Sequence, residues 1–508
     1  MVSTSSISGL ASGLDWSNII EQLIAVERKK IDVYVGQQSK YKDKLETWRT
    51  LNTKLAALKS TAASLKKAET FNAFTTNLTS STSTDASDLL SVSTTSDANT
   101  GVYTVVVSNV AEAQKTSSAT ASSKTSALGH SGEFIINGKV VNVGSTDTLT
   151  NIRDKINNLN TGSSPTNVTA TILTVTEDSD YRLVLTSDEL GADGFDLLDA
   201  STTDVLQDLG FTNTSTSFKN SVSATVKKTD KFTSSSTAIG SLYGLSSAPS
   251  GNVTIGDKTV SINLGTQSLT DIKSAIDTAA PTGVTTSIVT TTEDGVTKYQ
   301  LQISGTSTYT DANNVLESLG IIEGTLVSSI ATGQDATIIV DGTSITRSTN
   351  SISDVIDGVT LNLLSESAAT TVTLNISRDI DAVKQSIQNM VKTYNDIMKF
   401  ANEQFTYDTK KKTAGVLSGD VTLTSVQSDL RAIFTEEILG LPSSMNMLSL
   451  AGISFDSKGM LNIDDADLTD ALKSDFNAVK RLFIYEGAAT NSNVEYIAHS
   501  ADTEAGTY

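Results

Sequence analysis

The residues able to do chemistry are few and poorly grouped. The 508-residue chain has no cysteine and two histidines, His130 and His499, far apart in polar surroundings. Disulfides and thiolate metal sites are thereby excluded, and a histidine-based zinc site or catalytic triad has no material to work with. His130, beside Ser131, reads as a loop residue. Asp178 with Asp180, and Asp464, Asp465 and Asp467, have the ligand type for calcium. They lack the Asp-x-Asp-x-Asp-Gly loop, so turn and helix-cap roles are expected for them. Gly132–Lys139 (GEFIINGK) superficially suggests a phosphate loop. It has one residue too many between its glycines, and Val140 follows the lysine where Ser or Thr would hold magnesium. A hairpin turning at Asn137-Gly138 is the expected structure. No cofactor and no catalytic set are expected.

The net charge of -20, from 57 acidic and 37 basic residues, argues against nucleic acid, whose phosphates need clustered Lys and Arg. It argues equally against an anionic membrane surface. No run approaches the roughly 20 apolar residues of a membrane span, and no cleavable signal peptide is visible at the N-terminus. Aromatic content is 5%, only 4 residues are proline, and Ser, Thr, Asn, Asp and Gly are abundant. That mix suits a β-rich extracellular or assembly protein, with three or four domains expected from the length.

The strongest pattern is an apolar stripe: Tyr41, Leu45, Trp48, Leu51, Leu55, Leu58, Ala62 and Leu65. Steps of three and four put all of them on one side of a long helix, which needs a partner. Ile380, Val383, Ile387, Met390, Tyr394, Ile397 and Ala401 repeat the pattern more than 300 residues downstream. Two such seams suggest an antiparallel coiled pair or small bundle, with everything between as one excursion. Ahead of the first seam, Ile7, Leu10 and Leu14 punctuate a flexible start, and Ile19, Leu23 and Ile24 give a second helix an apolar face. These six residues have no local partner and are expected to contact another subunit. Gly36 is expected to break the two helices apart.

Inside the excursion lies a repeat. Glu133–Asn157 and Asn252–Asp277 each read as strand, tight turn, strand and helix, with Leu149, Ile152 and Ile156 matching Leu269, Ile272 and Ile276. Both copies go on through two strands and close on Leu-x2-Leu-Gly. A shorter third echo at Ala336–Ser365 is expected to have the hairpin and the start of the helix. The Ser/Thr/Ala run 116–127 reads as a linker. Farther on, helices are expected over Leu423–Leu439 and Asp467–Phe483, with two short strands between them.

The expected fold is α+β and multidomain. A helical coiled-coil stalk is formed by N- and C-terminal segments (41–70 and 378–485) below a β-rich head (71–118 and 332–377). The two repeated modules occupy 119–228 and 229–331, preceded by a flexible or helical segment 1–40 and followed by a polar tail 486–508.

Several stretches together resemble the flagellar filament cap family, the hook-associated protein 2 family. They are ISGLASGLDWSNIIEQLIAVER at the start, GVYTVVVSNVAEAQ entering the head, DATIIVDGTSITRSTNSISDVIDGVTLNL leaving it, and LSGDVTLTSVQSDLR with LAGISFDSKGMLNIDDADLTDALKSDFNAVKRLF in the C-terminal part. The repeat units resemble a hook-associated insertion motif. That family's long apolar C-terminal helix has no counterpart after Phe483, so a truncated or divergent tail is expected. The resemblance implies a non-enzymatic cap at the distal filament tip, outside the cell, that promotes flagellin folding and insertion and prevents loss of subunits. It implies export by the flagellar type III route without a cleaved signal, a ring homo-oligomer of five or six copies, and flagellin and an export chaperone as partners. Some members also bind host mucin, which makes mucin an implied partner. The alternatives weighed are a flagellin or hook–filament junction protein, an adhesin binding mucin or glycans, and a secreted hydrolase. The first would not combine the ISGLASGLD opening with the LAGISFDSKG hairpin. The second is weakened by scarce aromatics in the modules, and the third lacks any catalytic set.

Overall fold

The computed structural model describes residues 15–484, except 178, 294, 312, 410–412 and 439. Helix α1 runs unbroken from Trp16 to Lys66, 51 residues and about 77 Å. Asp15 caps it, its side chain accepting from the Asn18 amide at 3.2 Å. The break expected at Gly36 does not occur. A single glycine costs a helix roughly 1 kcal/mol relative to alanine, too little to interrupt so long a run of good helix formers.

The chain then enters a β-sandwich built from both sides of the excursion. A five-stranded antiparallel sheet has the order Phe74–Ser80, Val372–Arg378, Gly101–Asn109, Ala336–Val340, Thr343–Arg347. A three-stranded sheet of Leu90–Thr94, Val359–Leu363 and Ser351–Ile356 packs on it. Val105, Val107, Ile338, Leu361 and Leu374 are among the side chains that fill the core between them. The strand that leads into the excursion and the one that leads out, Gly101–Asn109 and Ala336–Val340, are neighbours. Residues 351–356, expected as the start of a helix, are a strand: Ser351 and Ile352 pair with Asn362 and Leu361. Ladder bonds to an existing sheet decide the conformation of so short and β-branched a segment.

Two α+β units lie between. The first holds the hairpin Gly132–Ile136 and Lys139–Val143 and helix α2, Leu149–Leu159. Asn137 and Gly138 turn that hairpin at φ +44° and +75°, and the segment with phosphate-loop spelling is this turn. The second holds Ser250–Ile255, Lys258–Asn263 and helix α3, Leu269–Ala279. Capping boxes start both helices, Thr148 with Asn151 and Ser268 with Asp271. Leu149, Ile152 and Ile156 in one, and Leu269, Ile272 and Ile276 in the other, are buried. Each unit also has a four-stranded sheet, Ser329–Ala331, Lys115–Ser117, Asp180–Ser187, Val168–Thr176 in the first and Ser221–Ser223, Val226–Lys228, Val296–Ser304, Thr285–Glu293 in the second.

That pairing corrects two expectations. Residues 115–118 and 329–331 belong to the first unit's sheet rather than to the head and the second module, and 221–228 belong to the second unit's sheet rather than to the first module. The start of the Ser/Thr/Ala run is no free linker either, because Thr116, Ser117 and Ser118 are buried. Thr116 donates its hydroxyl to the Ser328 carbonyl, and the Ser118 hydroxyl accepts from the Leu183 amide. Small hydroxyl side chains satisfy the backbone inside a sheet as readily as water does outside.

Helix α4, Ile380–Phe405, returns to the stalk, capped by Asp379. Helix α5 covers Val421–Thr435, four residues short of the expected end, and Leu439 lies outside the described residues. The hairpin Ile453–Phe455 and Leu461–Ile463 follows. The last expected helix is two, α6 (Asp465–Ser474) and α7 (Phe476–Ile484). They part at Asp475, whose carboxylate accepts from the Ala478 amide and so starts a new helix. Asp464 caps α6 through the Ala466 and Asp467 amides.

Candidate assembly interface

Helix α4 is the axis of the stalk. It packs on α1, and two polar contacts fix how. Thr61 and Thr393 share a hydrogen bond of 3.0 Å, and the Lys54 ammonium lies 6.0 Å from the centre of the Phe400 ring. Seven residues back on α1 is seven forward on α4, so the pair is antiparallel. Leu51, Leu58 and Leu65 of α1 and Val383, Ile387, Met390 and Ile397 of α4 are buried in one core. Trp48, Leu55 and Ile380 pack partly buried against it.

The same register explains where the seam stops. Carried onward, it sets Phe405, the last residue of α4, opposite Arg49. Tyr41 and Leu45, expected in the seam, lie past that end and are 74% and 52% exposed. They are not paired with α4. Tyr394, also expected in the seam, is fully buried in the same core. Its ring packs edge-on against Phe434 of α5 at 4.8 Å and Phe455 of the hairpin at 6.0 Å, and its hydroxyl donates to the Gly459 carbonyl at 3.1 Å. Burial pushes the Tyr394 phenol up to about 12. α4 is thus covered on two sides. Asn395 bonds both ways with Leu461, and Lys384 reaches Asp465 and Thr469 of α6. Phe71 closes the top of the bundle against Phe476 and Phe483.

What remains of α1 is an overhang from Trp16 to Leu45, about 45 Å long. Trp16, Ile20, Ile24, Ile31, Tyr34, Tyr41 and Leu45 are exposed along it, and their spacing puts them on one side, continuous with Trp48. Ile19, Leu23 and Ile24, expected at an interface, are 36%, 62% and 47% exposed. Ile7, Leu10 and Leu14 lie outside the described residues, as do residues 485–508, which include the expected polar tail. Among the described residues no helix is long and apolar enough to cross a membrane, and no group of three or more potential metal-binding side chains occurs.

Residue patterns missed a second join, between the two α+β units. Glu133 of the first accepts from the Ser246 hydroxyl and from the Ser246 and Ser247 amides of the second. Burial opposes its charge, but these bonds and one from Asn142 outweigh it and hold the carboxyl below its ordinary range. Lys219 joins Asp196 to Asp230. The Asp199 amide donates to Glu317 at 3.0 Å, and the Asp199 carboxylate accepts from the Leu206 amide. Burial pushes Asp199 up to about 8 and Glu317 up to about 7. Glu317 and Asp204 add to the shift at Asp199, Asp311 and Asp204 to that at Glu317. In sequence these carboxylates look like ordinary surface residues; Glu133 and Ser246, and Asp199 and Glu317, stand 113 and 118 positions apart.

Comparisons with known proteins agree with this architecture. Residues 12–114 match the family model for the flagellar hook-associated protein 2 N-terminus, and residues 333–504 match that for its C-terminus. The two matches cover more than half of the chain. Flagellar hook-associated protein 2 of Escherichia coli is 34% identical over 220 residues, 41% of this chain and 43% of that protein. The Xenorhabdus nematophila protein of that name is 24% identical, over 98% of this chain and 85% of its own length. The chain spans 27% of the Helicobacter pylori relative, at 29% identity, and 35% of the Pseudomonas aeruginosa B-type flagellar hook-associated protein 2, at 30% identity. A crystal structure of domains of the flagellar cap protein FliD from Escherichia coli shares the fold, with a TM-score of 0.51, 22% identity, and 86% of this chain and 89% of that one covered. The chain belongs to the flagellar hook-associated protein 2 family.

Proposed function

We propose that this chain caps the growing tip of a bacterial flagellar filament, as a ring of five or six copies. The stalks are its legs, and the sandwich and two modules form a plate over the opening. Flagellin leaving the channel folds and inserts beneath that plate. The observation that carries this reading is the α1 overhang. Most helical stability in proteins comes from packing an amphipathic face, and this helix keeps its apolar side exposed. Each large side chain buried there stabilises a complex by roughly 1.5–3 kcal/mol. Contact with a neighbouring copy and with filament subunits supplies the missing surface. Before assembly, an export chaperone fits the same stripe.

Electron microscopy of the purified chain tests the ring, which should show five- or six-fold symmetry with legs. Deleting residues 1–40 should abolish assembly and filament growth. Normal filaments from the deleted protein would remove the role given to the overhang.

A further inference from the structure

The chain passes between stalk and head twice at one place, through residues 72–74 and through Arg378, and a notch of about 380 Å³ opens there. Asn72, Phe74, Asn99, Thr100 and Arg378 line it. The Arg378 guanidinium lies 4.3 Å from the centre of the Phe476 ring and 5.9 Å from that of Phe74, held by faces that leave its N–H groups unused. Among the described residues no oxygen accepts a hydrogen bond from it, and no carboxylate pairs with it. Asp97 also lines the notch, exposed, and forms no ion pair with it.

A second cation is close by. Lys480 of α7 donates to the Asn72 side-chain oxygen at 3.2 Å and has no carboxylate partner among the described residues. Burial, and then the nearby charge of Arg378, lower its affinity for its proton. Two neighbouring cations therefore stand without an ion-pair partner among the described residues, with the exposed Asp97 the carboxylate in the notch lining, in a chain carrying 57 acidic residues against 37 basic ones.

We propose that the notch receives a carboxylate side chain from a second copy of this chain. Arg378 presents a planar fork that matches a carboxylate bidentately, and Phe476 and Phe74 fix its plane in advance. A neighbouring copy of so acidic a protein has carboxylates to spare, and two cations at the joint select for one. Docking there ties the neighbour to stalk and head together, so the angle between them is set on assembly. The proposal rests on the ring reading given above.

The test uses the full chain and Arg378→Met, which keeps the stem packed on both rings and removes the charge. Sedimentation velocity should show about tenfold weaker association for R378M at low salt, with an unchanged melting temperature. Added sodium chloride should weaken wild-type association far more than that of the variant. Carbodiimide coupling of mixed heavy-isotope-labelled and unlabelled chains should join Lys480 to an acidic residue of another chain. Wild-type-like association of R378M, or Lys480 couplings confined to single chains, would overturn the proposal alone. So would inorganic phosphate raising the melting temperature of the wild type, but not of R378M, with association unaffected, since the ligand is then a free anion. A wild-type chain that stays monomeric at every concentration would overturn the ring reading and this one together.

Discussion

Replacing Asp199 with Asn and Glu317 with Gln together should remove a pH dependence from the join between the two α+β units. Both carboxyls are buried and both are pushed up, to about 8 and about 7. In the unfolded chain they titrate near 3.9 and 4.3, their ordinary values of about these magnitudes. A raised carboxyl binds its proton more tightly when folded. Its contribution to stability is therefore complete below pH about 4 and is lost as pH rises toward the folded values. Between pH 5 and 7 each group costs up to about 1.4 kcal/mol per pH unit, so the pair costs at most about 2.7 kcal/mol per unit. Above pH about 8 the dependence flattens. Glu133, held below the ordinary range, works in the opposite sense and only on the acid side of this window. The double variant keeps acceptors for the Leu206 and Asp199 amides, because each amide side chain retains one carbonyl oxygen. Trp16 and Trp48 both lie in α1, so tryptophan emission follows the stalk and not the join. Amide hydrogen exchange over residues 197–208 and 315–322, corrected for intrinsic rate at each pH, follows the join. The wild type should lose protection from pH 5 to 7 more steeply than the double variant, which keeps the raised Asp311 and Glu323 carboxyls. Parallel curves for the two proteins would refute the reasoning.

Leu51→Ala should cost the stalk about 2–5 kcal/mol, as expected for a buried leucine, whereas Leu45→Ala, past the end of α4, should stay within about 0.5 kcal/mol. Denaturant unfolding followed by Trp48 emission separates the two, and equal costs would refute the register. Tyr394→Phe removes the donor to the buried Gly459 carbonyl and should cost about 1–2 kcal/mol by thermal unfolding. Gly138→Ala and Gly210→Ala both place a side chain at positive φ, +75° and +77°. The first meets nothing within 4 Å and should cost roughly 1 kcal/mol. The second brings a Cβ within 2.4 Å of the Ala119 side chain and should cost clearly more, read as a larger fall in melting temperature.

Period and turn chemistry carried much of this fold. Leu149, Ile152 and Ile156 announce α2, and Asn137-Gly138 announces the hairpin before it, because each signal is complete within a dozen residues. What failed was whatever depends on a distant surface. Tyr394 has the spacing of the seam and is buried in its core, yet its ring contacts, Phe434 and Phe455, lie 40 and 61 positions onward, out of reach of any local pattern. Residues 351–356 have helical spacing, yet a waiting sheet edge outbids a weak local preference. The polar run at 116–118 reads as solvent-facing until the backbone groups it satisfies are known.

The overhang shows why the candidate interface was half legible. An apolar stripe in sequence says that a helix side will be covered, but not by what. From Trp16 to Leu65 the stripe recurs with polar gaps at Glu27/Arg28 and Gln37/Gln38, and neither gap coincides with the point near Trp48 where intramolecular packing ends. The boundary is set by the other helix: α1 has 51 residues and α4 has 26, and α4 begins beside the sandwich. The surplus of α1 must then project from the end of the stalk away from the sandwich, with its stripe intact. Sequences that specify a single self-contained fold do not leave so long an apolar side uncovered. The same length difference therefore leaves Tyr41 and Leu45 exposed beyond the end of α4.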